Sequence, residues 1–309
     1  MLLIVVPIIM LLLHHYFNTI PPIFQTIFQA ISILFANVFI VIPISIILFI
    51  RDLGNVFFNK EKSVDPKIIL ITGASSGIGA SIAREYAKPG VILGLLARSE
   101  DKLSKVAEQS LEDFDDKYPI DLLFANAGQL AATRDNFGKV KWEDAYKPYI
   151  DVNYIGNIAS VMTVYKRMKE RKRGQIAITT SIAGWFSPPT TAFYNSMKSA
   201  LNTFARDLFY IAKPYNVHIS LIVPGLIETN MTAHPDQPFP HTPNRYESAD
   251  NLAKIIKYQL SYNVFHIGWP YFQNIITFTI ATFPIRIQLL ISNMMGNHMT
   301  KNGKNIVLT

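Results

Sequence analysis

The sequence predicts an α/β protein built on a doubly wound parallel sheet, and three observations carry that prediction. From Lys67 onward, short runs of Ile, Val and Leu alternate with amphipathic stretches long enough to be helices. These runs are apolar along their whole length, as strands covered by helices on both faces are. The first of them enters a glycine-rich turn, Thr72-Gly73-Ala74-Ser75-Ser76-Gly77-Ile78-Gly79, which opens a helix. No internal repeat or low-complexity linker interrupts the pattern.

Taken in order, residues 68–71 read as a strand and 78–87 as the helix after the glycine turn. Residues 91–97 form a second strand, and 122–125 another that ends in Asn126-Ala127-Gly128. Helical sequence fills 142–172. A strand follows at 176–180, a helix at 191–212, and a strand at 217–223 that ends at Pro224-Gly225.

The ends of the chain are different. Residues 1–59 hold only two charged side chains, Arg51 and Asp52. The apolar run 23–50 has 28 residues, more than the ~20 a helix needs to cross a bilayer. The earlier run, 1–13, is shorter; it reads as a second helix drawn out to Ile20 or as half of a helical hairpin. A cleaved signal peptide is the rival, but no Lys or Arg precedes the run and no small-residue cleavage site stands out. The chain thus divides into a membrane anchor (1–59), a globular domain (60–270) and an apolar tail (271–309). Arg51 and Lys60 just after the main run place the domain on the cytosolic side.

Cysteine is absent, which excludes disulfides and thiolate metal sites. The histidines lack ligand spacing, so no metal site is expected. The formal charge is +7, and its densest cluster is Lys166-Arg167-Met168-Lys169-Glu170-Arg171-Lys172-Arg173. That cluster is either the cationic C-terminal end of a surface helix or a contact for anionic lipid headgroups. No nucleic-acid motif surrounds it.

The chemistry lies in two places. A strand running into Gly73, Gly77 and Gly79 aims backbone amides and a positive helix end at a pyrophosphate. Ser75, Ser76 and Ile78 belong to the same cradle. Where the second strand ends, an acidic residue would bind the ribose hydroxyl of NAD; Ala97 and Arg98 stand there instead, and a guanidinium suits the 2′-phosphate of NADP(H). Farther on, Tyr194 and Lys198 are four apart on one helical face. A cation beside a phenol lowers its pKa, which makes Tyr194 a general acid or base. Ser181 stands thirteen residues before Tyr194, at the end of the preceding strand.

Gly-x3-Gly-x-Gly followed by this Ser, Tyr-x3-Lys set resembles the short-chain dehydrogenase/reductase superfamily over residues 67–270. The resemblance implies a Rossmann-type sheet and assigns the roles. Ser181 would hydrogen-bond the substrate oxygen, Tyr194 would transfer the proton, and Lys198 would bind the nicotinamide ribose. Asn153 would be the fourth member of the tetrad, holding a water of the proton relay. Asn126 would lie along the cofactor, and Pro224 to Thr229 would receive the carboxamide, with Thr229 supplying a hydroxyl. Residues 230–245 would form a lid. Among membrane-bound members the chain is most similar to ketosphinganine reductases and hydroxysteroid dehydrogenases, on residues 97–103 and 213–217. An endoplasmic reticulum address follows from that similarity.

The chain departs from the family between Leu103 and Asp121, where only 17 residues stand. They leave no room for the third strand and its helices, so the apolar edge 91–97 is exposed. Going directly to the next strand also reverses direction. The intervening helix must then change face, leaving one side of the sheet thinly covered, or make a left-handed crossover. The tail, 270–296, reads as an interfacial amphipathic segment, with a spanning helix and a buried core helix as alternatives. Together these predict a membrane-anchored NADP(H)-dependent oxidoreductase of a lipophilic carbonyl or alcohol. Its partners would be that substrate and membrane lipids, with a homodimer left open. The rivals are a reductase of small soluble carbonyls and a cofactor-binding scaffold impaired by the shortened region.

Overall fold

The computed structural model describes residues 65–96, 105–129, 141, 146–187, 192–232 and 246–301, together with Phe39 and Pro43. Apart from those two residues, the predicted anchor lies outside the described residues, as does Arg98. Among the described residues no helix is long and apolar enough to cross a membrane.

Six parallel strands form the sheet. They are β1 (Ile68–Thr72), β2 (Ile92–Leu96), β3 (Leu122–Ala125), β4 (Gly174–Thr179), β5 (Val217–Pro224) and β8 (His266–Trp269), in the order β2-β1-β3-β4-β5-β8. Two short strands, β6 (Ile227–Glu228) and β7 (Glu247–Ser248), pair separately. Helix α1 (Gly77–Tyr86) follows the glycine turn and α2 (Lys105–Lys117) follows β2. Then come α3 (Lys147–Ile150), a π-helical turn at Asp151–Ile155, and α4 (Gly156–Arg171). The long helix α5 (Ala192–Ala212) follows a 3₁₀ turn at Ile182–Gly184. Helix α6 (Ala249–Leu260) packs beside α1, with Ser248 accepting from the Asn251 amide at its N-terminus. Helices α7 (Tyr271–Ala281) and α8 (Ile285–Lys301) end the described chain.

Two apolar layers sandwich the sheet. One joins Leu70, Leu123, Ile176 and Ile178 to Leu111 of α2, Val161 and Met168 of α4, and Leu201 and Leu208 of α5. The other joins Ile69, Ile71 and Phe124 to Ile82 of α1 and Leu252 and Ile256 of α6. Strands β1 and β3 are buried throughout their central residues because each faces both layers.

The short segment 104–120 is resolved by a change of face. The direction reverses after β2, and α2 lies on the layer opposite α1, so each crossover keeps the right-handed sense. Polar contacts hold α2 there. Asp115, buried, accepts from Arg171 Nη1 over 2.5 Å and from the Ile120 amide over 2.7 Å. Arg167 bridges Asp116, and Arg173 bridges Asp121. Three cations of the basic cluster therefore serve internal ion pairs, which favours its reading as a helix end over a lipid contact.

The exposed edge expected from the short segment is visible on the other layer. Among the described residues β2 pairs only with β1, and Leu95, directed to the α1 side, is 53% exposed. In the tail, Phe272, Ile275, Ile285, Leu289 and Met294 are all exposed, so these helices are not buried core.

Candidate active site

The glycine turn is built by close approaches that leave no space for side chains. Gly73 and Gly77 adopt φ of +68° and +54°. A Cβ on Gly79 would sit 2.2 Å from the Gly73 carbonyl oxygen, so α1 can start this close only on glycine. Ser76 caps α1 in extended backbone without a side-chain bond, and no acidic residue occupies the first turn. The positive helix end thus has no built-in counter-charge and suits a pyrophosphate. Ser75 and Ser76 are exposed at its mouth, and Ile78 is half-buried behind it.

Thr72 ties this turn to the next strand end, a role that the sequence reading missed. Its Oγ1 accepts from the Asn126 and Ala127 amides over 2.9 and 3.0 Å. Asn126 Nδ2 then donates to the Thr72 carbonyl over 3.3 Å. A polar β-branched residue directly before the first glycine was the available signal. Across the turn, Thr229 lies against Gly77, where a Cβ would meet its methyl at 3.1 Å. Pro224 ends β5 and directs the chain toward that contact.

Two of the four proton-transfer candidates, Asn153 and Lys198, meet over Gly128. A Cβ there would lie 3.2 Å from Asn153 Oδ1 and 3.7 Å from Lys198 Nζ. Asn153 sits in the π-helical turn, a widening common at functional sites. It is fully buried and doubly fixed: its amide donates to the Gln129 and Tyr149 carbonyls, both at 2.9 Å, and its Oδ1 accepts from the Gln129 amide at 3.1 Å. Ser181, past the end of β4, accepts from the Ala183 amide and bonds the Tyr194 hydroxyl. Lys198 Nζ donates to the Thr179 carbonyl over 3.0 Å and lies 5.6 Å from the centre of the Tyr194 ring.

The electrostatics differ from the sequence expectation. Burial pushes the Tyr194 phenol above its ordinary value, and the Ser181 hydrogen bond opposes this only in part. Burial also lowers the Lys198 ammonium from 10.5 to about 8. The predicted lowering of the phenol by its neighbouring cation fails because Lys198 gives its hydrogen bond to Thr179 and is itself desolvated. Tyr194 is held protonated, the form that donates to a carbonyl oxygen. Among the described residues no group of carboxylates and histidines could hold a metal.

Comparison with known proteins agrees with this geometry. The profile described as short chain dehydrogenase matches residues 67–118 and 114–238. The chain belongs to the short-chain dehydrogenase family. Membership makes it an oxidoreductase of the hydroxyl/carbonyl class. The two matched pieces overlap at residues 114–118, at the C-terminal end of α2 and within the short segment 104–120.

Among relatives of this short-chain dehydrogenase, the 11-beta-hydroxysteroid dehydrogenase A of Sesamum indicum is 29% identical over 244 residues, covering 72% of this chain and 67% of its own length. The 11-beta-hydroxysteroid dehydrogenase-like 3 of Arabidopsis thaliana is 31% identical over 63% of this chain and 70% of its own. The dehydrogenase/reductase SDR family member 7 of Homo sapiens is 30% identical, with 58% of its length matched. In structure, the short-chain dehydrogenase from Sphingobium yanoikuyae in complex with NADPH superposes with a TM-score of 0.58 at 17% identity, covering 78% of this chain and 98% of the other. Levodione reductase gives 0.59 at 21% identity, covering 69% and 98%.

Proposed function

We propose that this chain reduces the carbonyl of a lipophilic substrate, such as a steroid or sphingoid ketone, with NADPH, while seated on a membrane. The convergence of Asn153, Ser181, Tyr194 and Lys198 beside an uncapped helix end carries the proposal. Gly73, Ser75, Ser76, Gly77, Ile78 and Gly79 would hold the pyrophosphate of NADP(H). Asn126, Pro224 and Thr229 would line its path, and Arg98 would meet its 2′-phosphate. The cofactor supplies the hydride. Ser181 orients the carbonyl oxygen, and Tyr194 delivers the proton to it. Lys198 replenishes that proton through the Asn153 side of the site, where the two groups meet over Gly128.

Lipophilicity is supported by the exposed apolar surface of α7 and α8, which begins directly beside the site. The names of the hydroxysteroid dehydrogenase relatives point the same way. The apolar run 23–50 supplies a candidate anchor, and a membrane of the endoplasmic reticulum with the domain on the cytosolic side fits the family resemblance. A second reading, a binding scaffold with weak adenine affinity, is favoured by the exposure of Leu95 on β2.

The deciding experiment is a fluorescence titration of the detergent-purified full chain with NADPH, with NADH as control, followed by turnover of steroid and sphingoid ketones. Selective NADPH binding with turnover supports the proposal. Binding without turnover on any ketone moves the chain to the scaffold reading, and no binding removes both.

A further inference from the structure

Helix α7 reaches into the segment that leaves β5. The Leu226 amide donates to Gln273 Oε1 over 2.7 Å. Asn274 Nδ2 donates to the Val223 carbonyl over 3.2 Å, and the Gly225 amide donates to the Trp269 carbonyl over 2.8 Å. The Gln273 amide lies so near the main chain that a Cβ on Gly225 would fall 2.2 Å from Oε1. Gly225 is therefore fitted to the glutamine. The same helix touches the other side of the site, because Phe278 packs edge-on to Trp185 at 5.5 Å, just past the turn that follows Ser181. Its outward face carries Phe272 and Ile275, exposed by 73% and 64%.

We propose that Gln273 is a positioning residue for the site: its side-chain oxygen fixes the segment from Pro224 to Thr229 and transmits to it the seating of α7. The inference rests on the proposed reading of that segment as cofactor-facing. Thr229 is the contact that matters, since it stands against Gly77 of the phosphate turn. A Leu226 amide left without its acceptor lets the segment move away from that turn. Cofactor affinity then falls, although Gln273 touches no cofactor atom.

The test is NADPH titration and thermal melting of the full chain in detergent. Gln273→Leu removes the acceptor and is expected to raise the Kd roughly tenfold. Gln273→Glu keeps an oxygen in place and is expected to bind close to the wild-type value. Phe272→Ser, on the outward face, is expected to leave the Kd unchanged. Should Gln273→Leu fail to fold, Gln273→Asn withdraws the same oxygen by one carbon and is expected to weaken binding in the same direction. A wild-type Kd in the acceptor-free variant, a melting change without a Kd change, or an equal effect from Phe272→Ser would overturn the inference alone. A wild-type chain that binds no NADPH would remove the functional reading and this inference with it.

Discussion

Replacing Lys198 with Met should make the cofactor-free protein more stable while abolishing its activity. Lys198 is 3% exposed and its ammonium is lowered from 10.5 to about 8. At ~1.4 kcal/mol for each pH unit of displacement, the folded state carries a charge that costs ~3 kcal/mol near neutrality. Removing the ammonium strands the Thr179 carbonyl, which returns about 1 kcal/mol of that cost. The net gain is ~2 kcal/mol, or roughly a 4–8 °C rise in melting temperature for a domain of this size.

The sign with pH is fixed by the same two values. Below pH 8 the lysine is charged in both the folded and the unfolded chain, and the folded chain bears the full penalty. Above about 10.5 it is neutral in both, and the penalty is gone. The advantage of the variant should thus be widest below pH 8, fall to zero between 8 and 10.5, and give way at higher pH to a deficit of about 1 kcal/mol from the stranded Thr179 carbonyl. Differential scanning calorimetry at pH 7 and at pH 10.5 measures it, and activity should fall by ~100-fold or more. A variant that melts below the wild type at pH 7, or one that still melts above it at pH 10.5, refutes the reasoning.

Three further outcomes are expected. Tyr194→Phe should lose ~100- to 10,000-fold in turnover while binding NADPH as well as the wild type, which a titration beside a rate assay checks. Gly79→Ala places a methyl 2.2 Å from the Gly73 carbonyl oxygen, so cofactor binding or folding should fail and the titration should go flat. Arg171→Met leaves buried Asp115 without its closest cation and should destabilise the chain by about 3 kcal/mol in denaturant titration.

Much of the site was legible because its chemistry is local. Four-residue spacing is enough to place Tyr194 and Lys198 on one helical face, and a glycine turn after an apolar run implies a helix start. The strands with unbroken Ile, Leu and Val were equally plain. Helix α6 was overlooked even though Leu252, Ala253, Ile256 and Leu260 recur at helical spacing behind the Ser248 cap, while β8 is only His-Ile-Gly-Trp and carries no period. The Tyr194 phenol could not be read correctly because its pKa depends on burial and on where Lys198 spends its hydrogen bond. Gln273 was invisible for a different reason: its partner is a main-chain amide 47 residues away in sequence.

The reversal at β2 has a consequence for how such sheets can be trimmed or rebuilt. Because the chain turns back at this edge, a strand-and-helix unit can be excised here without rethreading any later crossover or altering the pairing of β1 with β3. Grafting a unit back between Leu96 and Lys105 should therefore fold as an outward extension, sheltering Leu95 while the catalytic half of the sheet keeps its register.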